Sequence, residues 1–183
     1  EACDTDKILR GLKLRKVWVN AIVDDAITVA TTGLANNASV ASTSTGNNST
    51  DGTQVFNQSG GTVTLPAETF APGSQANYTT TVACTGATLS GSTPGSTFTM
   101  PDGDVTCTYT NTRIQRSLTL KKTWVNGKPG DAVTATTTGL ANNATVSSTA
   151  DAEGDNTTTG NAVSNVPGAV VTLPAEQFTT GSQ

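Results

Sequence analysis

The chain has 183 residues, of which 34% are hydrophobic, 4% aromatic and 13% charged, with a formal net charge of −4. So few apolar side chains imply thin cores, while the low charge density sets the chain apart from disordered segments, which join low hydrophobicity to strong self-repulsion. The acidic balance and the lack of a Lys/Arg cluster exclude nucleic acid and anionic lipid as expected partners, and no apolar run approaches the ~20 residues that span a bilayer. Glu1-Ala2-Cys3-Asp4 has neither a basic start nor an apolar stretch, so any signal peptide or anchor is expected outside this sequence.

Short alternating runs rich in Thr, Val, Tyr and Phe, separated by Gly, Asn, Pro and Ser clusters, predict strands near 11 to 20, 26 to 32, 38 to 44, 53 to 57, 61 to 70, 77 to 85, 96 to 100 and 104 to 112. No segment sustains a 3.6-residue apolar period, so helices should be nearly absent and the fold class is all-β, a sandwich. In the first run Leu12, Leu14, Lys16 and Trp18 share one face, which points the tryptophan into the core together with a lysine. Tyr78, Val82 and Cys84 share parity in one later run, and Val105, Cys107, Tyr109 and Asn111 in another. Both sulfurs should face the same core, which predicts a Cys84–Cys107 disulfide formed outside the cytoplasm. The cysteine spacing fits no metal or haem motif and the chain has no histidine, so no metal or other cofactor is predicted.

The sequence also aligns with itself. Gly11-Leu12-Lys13-Leu14-Arg15-Lys16-Val17-Trp18-Val19-Asn20 matches Ser117-Leu118-Thr119-Leu120-Lys121-Lys122-Thr123-Trp124-Val125-Asn126. Gly33-Leu34-Ala35-Asn36-Asn37-Ala38 recurs at Gly139 to Ala144, and Val63-Thr64-Leu65-Pro66-Ala67-Glu68 at Val171 to Glu176. The offset, from Trp18 to Trp124 and from Glu68 to Glu176, is that of a whole domain rather than a solenoid unit. Three segments follow: residues 1–10 as the last strand of a preceding repeat or an N-terminal extension, 11–113 as a complete repeat, and 114–183 as a second repeat without its C-terminal strands. Arg113 to Arg116 forms a linker short enough to restrict bending. Cys3 is expected to pair with a cysteine of a preceding repeat. The second repeat is expected to be completed either by continuing polypeptide or by strand complementation from a neighbouring copy.

Leu118-Thr119-Leu120-Lys121-Lys122-Thr123-Trp124-Val125-Asn126, Leu65-Pro66-Ala67-Glu68-Thr69-Phe70 and Cys107-Thr108-Tyr109-Thr110-Asn111-Thr112-Arg113 resemble prealbumin-like repeats of large bacterial surface proteins, similar to the B-type repeats of collagen-binding adhesins. The resemblance implies tandem Ig-like or prealbumin-like sandwiches serving as an extracellular structural module, a spacer in a surface stalk, adhesin or filament. It also implies a self-formed Lys–Asn isopeptide bond from Lys16 and Asn111, with Glu68 as proton-transfer partner and Lys122 and Glu176 as the second-repeat equivalents. Parity agrees, since Lys16 lies between Leu14 and Trp18 on a core face and Asn111 shares a face with Tyr109. The same residues admit a simpler reading, in which Lys16 snorkels to the rim, Asn111 ends its strand in a turn and Glu68 is an edge carboxylate.

Catalytic turnover is not expected: without histidine, no nucleophile and base can be assembled in the usual way, although Asp25 and Glu68 recur as Asp131 and Glu176. Asp151-Ala152-Glu153-Gly154-Asp155-Asn156 and Asp102-Gly103-Asp104 concentrate oxygen ligands but lack full EF-hand spacing, and read as solvated turns. The alternative function is a ligand-binding sandwich that presents threonine hydroxyls to glycan or ice. Sequons at Asn37, Asn48, Asn57, Asn77, Asn143 and Asn156 are expected by chance in a chain this rich in Asn and Thr.

Overall fold

The computed structural model describes residues 8–179, and within them the chain is all-β, in two compact units that divide after Arg113. Cys3 and its expected partner, like the end at Gly181-Ser182-Gln183, lie outside the described residues. One 3-10 turn, Gln75–Asn77, is the helical structure of the described part, and no helix is long and apolar enough to cross a membrane.

In unit 1 the strands are β1 (Arg10–Val19), β2 (Ala26–Ala30), β3 (Ser39–Thr43), β4 (Asn48–Asp51), β5 (Val55–Asn57), β6 (Thr62–Thr64), β7 (Thr69–Phe70), β8 (Tyr78–Thr85), β9 (Thr97–Thr99) and β10 (Val105–Arg113). One sheet runs β4-β1-β10-β8, with β5 also on β1; β3-β2-β7 and β6-β9 form the others, joined by a Thr32–Thr64 bridge. The first strand and the last are neighbours and parallel, in register from Leu12 opposite Val105 to Val19 opposite Thr112. Alternation along β1 buries Leu12, Leu14, Lys16 and Trp18, and against them pack Ile27 and Val29 of β2, Val40 of β3, Val63 of β6 and Phe98 of β9. The two layers are also tied by a polar contact, because Trp18 Nε1 donates to Ser42 Oγ of β3 at 3.0 Å. A buried indole N–H left without a partner would cost about 1–3 kcal/mol.

Two expectations about strands are corrected. The run 61 to 70 is broken, since Leu65–Glu68 is not strand and Pro66 has no N–H to give a ladder. Asn48–Asp51, which lies outside the expected strands, is a strand on β1, held by Ser42–Thr50 hydroxyl contact at 2.7 Å and by Lys13 and Arg15 beside Asp51.

The recurring Gly-Leu-Ala-Asn-Asn-Ala segment also acquires a cause. Gly33 has a φ of 99°, and a side chain there would collide with the Thr62 carbonyl. Next to it Asn36 N–H donates to Asn57 Oδ1 at 3.0 Å and Asn57 Nδ2 returns to the Asn36 carbonyl at 2.8 Å. Asn142 and Asn165 repeat the clamp in unit 2 at 2.9 and 2.8 Å. The sequon asparagine Asn57 is therefore buried, with its amide oxygen and nitrogen both hydrogen-bonded to Asn36.

Unit 2 holds β11 (Arg116–Leu118), β12 (Lys121–Thr123), β13 (Ala132–Thr136), β14 (Thr145–Thr149), β15 (Thr157–Thr159), β16 (Val163–Asn165) and β17 (Gln177–Phe178). These pair as β11-β16, β12-β15 and β14-β13-β17 around a small core of Trp124, Val133 and Ala150. By sequence match β11 and β12 together correspond to β1. No strand equivalent to β8 or β10 is present among the described residues, and the β1 equivalent is broken at Thr119–Leu120.

Cys84 and Cys107 face each other across β8 and β10 and are disulfide-bonded, as parity predicts. In the chain-entropy account, closing a loop of this length stabilises by about 3 kcal/mol. Replacing both cysteines by alanine should therefore lower the unfolding free energy of unit 1 by about 3 kcal/mol in denaturant titrations.

Candidate functional site

Three polar side chains are buried where the thin core of unit 1 has no apolar residue to offer. Lys16 and Asn111 are both 0% exposed, and the Glu68 side chain is likewise fully enclosed. Lys16 lies opposite Tyr109 in the parallel ladder and Trp18 opposite Asn111, so lysine and asparagine share the inner face of adjacent strands, one pleat apart.

Glu68 arrives from the other side of the core, on the irregular segment just before β7. That segment is held by Tyr109, whose hydroxyl donates to the Pro66 carbonyl at 2.9 Å, and by the backbone pair of Leu65 with Ser96 and Gly95. Lys16 Nζ stands 2.6 Å from Glu68 Oε1 and 4.6 Å from the centre of the Trp18 ring. The contact is a fully enclosed ion pair. Asn111 Oδ1 accepts from Thr80 Oγ1 at 2.6 Å, and Gln75 Nε2 donates to that hydroxyl at 2.8 Å. Asn111 Nδ2 has no hydrogen-bond partner among the described residues. A buried amide in that condition costs about 1–3 kcal/mol.

Burial lowers the Lys16 pKa to about 8, an effect that the charge of Glu68 and its contact partly offset. Burial, and secondarily the charge of Glu68, raises the pKa of Tyr109, which stays a neutral donor. The ensemble thus holds an amine that loses its proton at mildly alkaline pH, a carboxylate in contact with it, and a carboxamide whose oxygen is polarised by a hydroxyl. Thr80 and Gln75 escaped the sequence reading, although Thr80 shares parity with Tyr78 and Val82 and is inward for that reason.

In unit 2, Lys122 Nζ donates to Glu176 Oε2 at 2.8 Å, with side chains 16% and 37% exposed, and Trp124 Nε1 donates to Ser148 Oγ at 2.9 Å. No asparagine corresponding to Asn111 stands beside this pair among the described residues. Three other acids hold turns and strands in place. Tyr78 OH donates to Asp25 Oδ2 at 2.5 Å, Asp151 Oδ1 accepts from the Glu153 and Gly154 N–H groups, and Asp104 Oδ1 accepts from Gly11 N–H.

No family model, curated protein or solved structure matches the chain. Any reading of the site therefore rests on its own geometry.

The lowered lysine pKa has a sign that can be checked. Between about 8 and the unfolded value of 10.5 the unfolded chain binds the extra proton and the folded one does not, so stability rises with pH across that window. An Asn111→Ala chain, in which Lys16 has no carboxamide beside it, should gain stability from pH 8 to 10.5 in denaturant titrations. A chain carrying Lys16→Met as well should show no such gain.

Proposed function

We propose that this protein is a structural module of an extracellular stalk or filament, built of tandem sandwiches that bear tension without catalysing turnover. The observation that carries this reading is the enclosure of Lys16, Glu68 and Asn111 between the first strand and the last of unit 1. Because β1 and β10 are parallel neighbours, force applied at Arg10 and at Arg113 pulls them in opposite directions along their length. All their ladder hydrogen bonds are loaded together, and a covalent tie from Lys16 to Asn111 would carry that load.

The chemistry proposed is amide exchange. Neutral Lys16 Nζ attacks Asn111 Cγ, a C–N bond forms, and the bond from Cγ to Nδ2 breaks. Glu68 takes a proton from the attacking nitrogen and delivers it to Nδ2, which leaves as ammonia, so the carboxylate is regenerated. Thr80 stabilises the charge that grows on Oδ1, as hydrogen-bond donors do in acyl transfer. The product has no buried primary amide without a partner, which offsets part of the cost of holding the reactants. Neighbouring repeats, or copies that add strands, are the partners this reading implies, and the cell exterior is its location, in keeping with the disulfide.

Intact-mass measurement of the reduced chain should show a deficit of one ammonia, about 17 Da, abolished by Lys16→Ala or Asn111→Ala. A full mass in folded protein would contradict the reading. In freshly refolded chain, ammonia loss should accelerate as pH rises through about 8, where Lys16 deprotonates. Thr80→Val should slow the loss by roughly 10-fold to 100-fold without preventing it.

A further inference from the structure

A hydroxyl carries one proton and two lone pairs, so whatever occupies its lone pairs decides where the proton goes. The buried Thr80 Oγ1 stands between two carboxamides, 2.6 Å from Asn111 Oδ1 and 2.8 Å from Gln75 Nε2. Which end each carboxamide presents is settled by a third group. Gln75 Nε2 also lies 3.4 Å from the Tyr78 carbonyl, which can only accept, so nitrogen faces this side of β8. With that N–H₂ group on its lone pair, Thr80 keeps its proton for Asn111, and only the amide oxygen can take it. The leaving nitrogen, Nδ2, is thereby turned away from the hydroxyl.

Gln75 is itself held in place. It opens the 3-10 turn Gln75–Asn77, whose N-cap Ser74 accepts from the Ala76 N–H at 3.3 Å. Just before it Gly73, with a φ of 110°, passes so close to the Asp25 carboxyl group that a Cβ would collide. The carboxyl group of Asp25 in turn accepts from the Tyr78 hydroxyl, which fastens the turn and the start of β8 to one another. The triplet Gly73-Ser74-Gln75 recurs as Gly181-Ser182-Gln183, although the two residues before it change from Ala71-Pro72 to Thr179-Thr180.

We propose that Gln75 is a positioning residue for the amide exchange: it fixes Thr80 as a donor and so sets the Asn111 amide with its oxygen on the hydroxyl and its nitrogen free to leave. The inference rests on the reading of Lys16 and Asn111 as reactants, and adds to it a residue that acts only through Thr80. Because Gln75 lies at the surface, its side chain can be changed without disturbing the core. Gln75→Ala removes the N–H₂ donor. Gln75→Glu keeps the size but puts an acceptor there, which draws the Thr80 proton to itself and takes it from Asn111 Oδ1.

Two readouts on the full chain separate this claim from the crosslink itself. With Lys16→Met, which has no amine and cannot react, the Asn111 carboxamide carbon should resonate downfield in NMR spectra, as carbonyls do with a donor on the oxygen. Adding Gln75→Glu should move it upfield as far as adding Thr80→Val does, and Gln75→Ala should move it less. In refolded chain with Lys16 intact, Gln75→Ala should slow ammonia loss by roughly 2-fold to 10-fold and Gln75→Glu by roughly 10-fold to 100-fold. Both should keep the rise in rate through about pH 8. In a Thr80→Val background neither substitution should slow the loss further. A carbon resonance unmoved by Gln75→Glu, unaltered rates in both variants, or slowing that persists in the Thr80→Val background would overturn the proposal and leave the crosslink standing. A full mass in the folded, unsubstituted chain would overturn the crosslink and the part of Gln75 in it together.

Discussion

A lysine and a glutamate enclosed together in a lean core are the constraint on which unit 1 is organised. Each charge loses several kcal/mol of hydration on burial, and their contact repays this only in good geometry with surrounding donors and acceptors satisfied. Here the pair is fully enclosed and the neighbouring asparagine N–H₂ group lacks a partner among the described residues. Apolar residues of similar size would serve stability alone at least as well. Trp18 and the tyrosine that anchors the glutamate segment enclose the pair, and the proposed amide exchange would give such an arrangement a use.

The sheet order gives that chemistry its mechanical meaning. Most of the unit lies between β1 and β10 in sequence, yet these strands are parallel neighbours with an eight-residue register. A tie across them encloses nearly the whole sandwich in a closed loop, while the disulfide between β8 and β10 fixes the adjacent edge. In unit 2 the β1 equivalent is two short strands, β11 and β12, and the Lys122–Glu176 pair is partly exposed.

Two-residue periodicity made much of this legible in the sequence. It placed Leu12, Leu14, Lys16 and Trp18 inside, set Cys84 against Cys107, and put Asn111 on the core face, because a strand leaves no other choice of side. The burial of Glu68 was not legible from strand periodicity, since its segment is not strand and its aim is fixed by Tyr109 and backbone contacts distant in sequence. Thr80 was hidden by composition: in a chain full of threonines, only its direct pairing with Asn111 distinguishes it. The β4 strand was illegible because an edge strand of Asn, Ser, Thr and Asp carries no apolar pattern and is made by its partners.

The most direct test of the tension-bearing account is single-molecule extension of the chain, tethered at its two ends under reducing conditions. The account predicts that unit 1 releases no length between Lys16 and Asn111 before the tether breaks. An unfolding step of roughly 330 Å, the contour of that whole segment set free, would contradict it.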